Sequence, residues 1–185
     1  MYAPIIQIFK INYPQLEVTL SQIEGHEDCC QNSTVSAFDL NSIKQIFYQL
    51  LGSAAPATVN GVLFPYDSAL FFVQFINPLM TSTSLEEMHN IVSNPTKLHN
   101  KISGSTIMLS DMIRHYNVSA DIHTFILNSI NPRAKIPTIL LLGLTDKDYL
   151  TLRISYQDKL NIPEIEDEVA GEIIPMICSD IEGYF

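Results

Sequence analysis

The longest apolar runs of this 185-residue chain are short: residues 69–75, interrupted by Gln74, and residues 139–144, interrupted by Gly143. Both fall far below the roughly 20 residues that a bilayer-crossing helix needs, so no membrane span is expected. Runs of this length suit strands or short segments buried inside a water-soluble core. With 46% hydrophobic and 16% charged residues, the composition excludes wholesale disorder and supplies a large core. A chain of this size buries well over half of its unfolded surface and needs no staples. Without a repeat, long linker or low-complexity tract, a single domain over residues 1–185 is expected.

Local patterns then divide the chain. Residues 5–11 and 16–20 are rich in strand formers and flank Asn12-Tyr13-Pro14, which predicts two extended segments. Residues 25–36 are polar without an apolar period and read as an exposed loop. A helix follows, with Asn41 as N-cap, Ile43, Ile46, Phe47, Leu50 and Leu51 as its buried stripe, and Gly52 as its stop. Residues 62–66 and 70–76 predict strands around a turn at 65–68, although the second run, lacking a period, also fits a buried helix. Ser84 and Glu87 form a capping box for a helix ending before Pro95.

In the second half, apolar spacing predicts helices over 105–116 and 120–130, joined by Asn117-Val118-Ser119, with Ser103-Gly104-Ser105 as the cap of the first. Residues 138–144 and 149–156 bracket Thr145-Asp146-Lys147-Asp148 and predict a β-hairpin. A last helix starts at Asn161 and Pro163, turns Ile165, Val169, Ile173 and Met176 inward, and carries Glu164, Glu168 and Glu172 as an acidic stripe, with Pro175 kinking or ending it. These elements together predict an α+β fold, a mostly antiparallel sheet of about five or six strands packed by four or five helices. No regular β-α-β alternation argues for a parallel sheet.

The three cysteines, Cys29, Cys30 and Cys178, cannot all pair within the chain, and adjacent cysteines rarely bridge each other, so free thiols are expected. No basic residue precedes Lys10 and no cleavable hydrophobic leader is evident, which points to a cytoplasmic location. The sequons at Asn32 and Asn117 are expected by chance in a chain rich in Asn, Ser and Thr.

Chemistry is harder to find. His26, Asp28, Cys29 and Cys30 offer zinc-type donors, but their spacing lacks the two separated pairs of a structural site, and an ordinary polar loop is the simpler reading. His89, His99, His115 and His123 show no metal-pair spacing. No nucleophile elbow or phosphate-cradling glycine loop occurs. Carboxylate pairs at Glu86-Glu87 and Asp146/Asp148 sit where helix starts and turns favour them anyway. No cofactor, metal or catalytic residue is therefore assigned.

Charge carries the functional expectation. The formal net charge is −10, and residues 158–185 hold eight acids against the single base Lys159. Such a surface repels phosphate backbones, so nucleic acid is an unfavoured partner and a basic protein a favoured one. The expected contact set is Glu164, Glu168, Glu172, Asp180, Glu182, Tyr184 and Phe185, with carboxylates steering the encounter and aromatics adding contact area. The expected function is a non-enzymatic binding protein that masks or inhibits a basic partner, of the immunity-protein, inhibitor or secretion-chaperone kind. Two alternatives remain. One is a winged-helix-like regulator or adaptor using residues 105–156, against which stands the absence of Lys and Arg from 120–130. The other is an enzyme whose site gathers distant residues around His26, His115 or His123.

Overall fold

The computed structural model describes residues 3–23, 30, 32–66, 69–76, 95–117, 136–142 and 171–185. Helix α1 (Ala3–Asn12) leads through a 3-10 turn (Pro14–Leu16) into strand β1 (Glu17–Thr19) and a second 3-10 turn (Leu20–Gln22). Then come β2 (Ser36–Asp39), α2 (Leu40–Leu51), β3 (Gly61–Leu63), β4 (Phe71–Ile76), α3 (Pro95–His115), β5 (Thr138–Leu142), β6 (Ile173–Ile177) and the short α4 (Cys178–Ile181). The result is a mixed α and β fold around one six-stranded sheet whose strands lie in chain order. β1 to β4 pair antiparallel, whereas β4–β5 and β5–β6 are parallel, so three of five pairings are antiparallel. The parallel half departs from the expected topology; between β4 and β5 the long connection carrying α3 returns the chain in the same direction.

The sheet is buried on both faces. In β4, Phe72 enters one core while Val73 and Phe75 enter the other; in β5, Leu140 and Ile139 divide in the same way. The first core packs Ile5 and Phe9 of α1, Ile43 and Phe47 of α2, and Ile102 and Met112 of α3 over Phe38, Val62, Phe72 and Leu140. The second contains Ala37, Leu63, Val73, Ile139, Leu141 and Met176 with Leu20, Ile23, Cys30 and Ile181. No helix of the described residues is long and apolar enough to cross a membrane.

Several expectations are corrected. Residues 5–11 are not extended: they lie in α1, where Ile5, Ile8 and Phe9 are buried at helical spacing, so packing overrides the strand preference of isoleucine. The N-cap of α2 is Asp39 rather than Asn41; its Oδ1 accepts from the amides of Asn41 at 2.9 Å and Ser42 at 3.2 Å. A carboxylate there also complements the positive end of the helix dipole. Gly52 ends that helix in the left-handed conformation, φ 62°, as expected. Of the proposed buried stripe only Ile43 and Phe47 are buried, while Ile46, Leu50 and Leu51 are exposed.

Ser103-Gly104-Ser105 does not cap a helix but sits inside α3, which begins ten residues earlier at Pro95. Proline suits that first turn because its missing N–H has no intrahelical partner there. The hairpin expected between 138–144 and 149–156 is not formed at β5, both of whose edges are filled by parallel neighbours, β4 and β6. Nor does the last helix extend through Ile173 and Met176. They belong to β6 and face opposite cores, and Glu172 precedes the strand instead of extending a helical stripe. Pro175 is accommodated because β6 is the terminal strand of the sheet order and, among the described residues, pairs with β5 alone. The helices expected near 84–94 and 120–130, the turn at 145–148, and the cluster His26, Asp28 and Cys29 lie outside the described residues, as do His89 and His123.

Candidate protein-binding surface

The chain after β6 is pinned across the second core. Cys178 opens α4 and forms a disulfide with Cys30, 148 residues away, with the two Cα atoms 4.9 Å apart. The expectation of free thiols is thus corrected for these two residues. Cys30 itself has φ 57°, a left-handed backbone that residues other than glycine seldom take. Three residues beyond Cys178, the fully buried Ile181 inserts into the second core.

A second anchor follows at once. The Glu182 carboxylate accepts from the Ser33 hydroxyl at 2.6 Å and the Thr34 amide at 2.8 Å through Oε1, and from the Thr34 hydroxyl at 2.8 Å through Oε2. The Ser33 and then the Thr34 side-chain bonds hold the carboxyl below its ordinary range, because each favours the ionised form. Phe185 completes the attachment edge-on to Phe71, ring centroids 5.3 Å apart. Tyr184 stands against Phe185 at 5.0 Å and remains 48% exposed.

The expected contact residues therefore separate. Asp180 and Tyr184 are exposed together on the pinned tail, whereas Glu182 and Phe185 serve mainly to hold it. Glu172 is exposed but precedes β6, and the five-residue strand puts about 16 Å of extended backbone between it and the tail. Glu164 and Glu168 lie outside the described residues. Cys30, Ser33 and Thr34, which fix the tail, were not legible as its partners, since no periodicity links residues so far apart in the chain.

Other polar groups are engaged in structural contacts. Gln74 donates from Nε2 to the Phe75 carbonyl at 2.6 Å and accepts from Lys101 Nζ at 3.1 Å, while Asn60 Oδ1 accepts from the Phe75 amide at 3.0 Å. These bonds satisfy backbone groups where the β3–β4 ladder ends. On the helical side, Tyr48 donates to Asp111 at 2.8 Å and the Tyr13 and Tyr116 hydroxyls meet at 2.8 Å. Burial first, then the hydrogen bond, pushes both Tyr13 and Tyr48 above the usual phenol range. His115 packs edge-on against Phe47 at 5.6 Å and Tyr116 at 4.9 Å. No metal-holding group of three His, Cys, Asp or Glu occurs among the described residues. Comparison with protein-family models, with curated proteins and with solved structures finds no match.

Proposed function

We propose that this chain is a non-enzymatic acidic binding protein that masks or inhibits a basic protein partner, in the manner of an immunity protein, an inhibitor or a secretion chaperone. The observation that carries the reading is the pinned tail, on which exposed Asp180 and half-exposed Tyr184 sit between the Cys30–Cys178 bridge and the Phe185 contact. A segment already fixed before binding loses little conformational entropy when it docks. The net charge of −10 attracts a basic partner, and an anchored tyrosine supplies contact area at low entropic cost.

Capture of a basic protein from the native host, followed by titration of the purified pair at rising ionic strength, tests this. Affinity should fall with salt, and Tyr184→Ala should weaken binding by about tenfold or more if the ring is a hot spot. Affinity that ignores salt and survives both Asp180→Lys and Tyr184→Ala would exclude this surface.

A further inference from the structure

The sequon Asn32-Ser33-Thr34 begins two residues after the disulfide cysteine Cys30. Chance accounts for such a triplet in this chain, but not for its setting. Asn32 is exposed in a turn that the Ser33 amide closes by donating to the Cys30 carbonyl at 2.9 Å. Asn12, Asn41 and Asn60 engage their side chains in hydrogen bonds within the fold, whereas Asn32 makes none among the described residues. The bridge to Cys178 is an independent observation. Disulfides close and persist in oxidising compartments such as the secretory lumen, where asparagine glycosylation also takes place. The other sequon asparagine, Asn117, is exposed too, but its Ser119 lies outside the described residues, so the assignment is to Asn32 alone.

We propose that Asn32 carries an N-linked oligosaccharide, attached before the C-terminal tail docks. The donor is a polyprenyl-pyrophosphate oligosaccharide. The Asn32 amide nitrogen bonds to the anomeric carbon of the sugar, the bond from that carbon to the pyrophosphate oxygen breaks, and the amide proton passes to a base of the transferase. The transferase reads the hydroxyl of the third sequon residue, so the Thr34 hydroxyl must be free during transfer. In the folded chain it is not free: it donates to Glu182 Oε2 at 2.8 Å, while Ser33 and the Thr34 amide bind Oε1. Glu182 follows Thr34 by 148 residues, so a chain emerging from its N-terminus presents the sequon long before that latch exists. Cys178 follows Cys30 by the same interval, so the sugar is attached first and the bridge closes afterwards. In the finished fold Asn32 remains exposed, leaving the sugar in solvent while Ser33 and Thr34 hold the tail. A glycan at this position places folding in an oxidising compartment instead of the cytoplasm expected from the N-terminal residues. The proposal is independent of the basic partner.

Mass spectrometry of the protein isolated from its native source, treated with peptide-N-glycosidase in heavy-oxygen water, tests this. The intact chain should lose a hexose-containing mass, and the peptide of Asn32 should gain the heavy label. Asn32→Gln made in the same host should lack that mass, with the Ser33 and Thr34 contacts to Glu182 untouched. A peptide of Asn32 recovered only unmodified overturns the proposal, whatever Asn117 carries. Offered to an oligosaccharyltransferase with the lipid-linked donor, the reduced, unfolded chain should accept sugar at Asn32 and the folded, oxidised chain should not. Equal transfer to both overturns the order of events.

Discussion

Gly104 of α3 lies directly against the backbone of Ala57, so close that a methyl group at Gly104 would run into the Ala57 carbonyl oxygen. The neighbouring Ser105 locks the contact, accepting from the Val59 amide at 2.9 Å and donating to the Lys101 carbonyl at 2.8 Å. In an open helix, alanine would improve on glycine by about 1 kcal/mol. Here the sign should reverse, because the obstacle is backbone: Gly104→Ala should destabilise by about 1–3 kcal/mol, read from the denaturant midpoint.

Thr138 is fully buried in β5, and its hydroxyl has no hydrogen-bond partner among the described residues. Thr138→Val keeps the shape and the backbone pairing while removing an unsatisfied group. Stability should rise by about 1 kcal/mol in urea unfolding, and a loss would show that the hydroxyl is satisfied after all.

The Cys30–Cys178 bridge closes a loop spanning 148 residues of sequence. Replacing both residues by serine should cost about 2–4 kcal/mol, and dithiothreitol should lower the melting temperature of the wild type but not of the double variant. Mass spectrometry of the unreduced protein after proteolysis should recover the peptides of Cys30 and Cys178 as one linked species.

Because hydrogen bonds depress the Glu182 carboxyl in the folded state, its contribution to stability is fully present above the unfolded carboxylate value. It is then lost as pH falls through the lower folded value. Glu182→Gln should therefore be less stable than wild type near neutrality, and the gap should close in acid. Its size stays modest because Glu182 is exposed. A gap that is constant with pH would mean that the charge is not what Ser33 and Thr34 recognise.

Legibility in the sequence followed the physics of burial. α2 was readable from its apolar spacing and Gly52, and β4 and β5 from their short apolar runs, since these signals are local. α1 was misread because Ile5, Ile6, Ile8 and Ile11 favour strands until the first core rewards a helical face. β6 failed in the opposite sense: with both sheet faces buried, Ile173, Met176 and Ile177 lose the alternation of a strand and imitate a helix. The acidic composition of the last segment was plain, but which carboxylates stay free was not. That depended on Ser33 and Thr34 meeting Glu182 from the far end of the chain.

One covalent bond also changes how the molecule meets mechanical load. Tension entering before Cys30 and leaving after Cys178 passes through sulfur, so every strand from β2 to β6 sits on an unloaded branch. Pulled in that direction, β2 to β6 are bypassed and only the flanking segments, β1 among them, can extend, until a reductant cuts the shortcut.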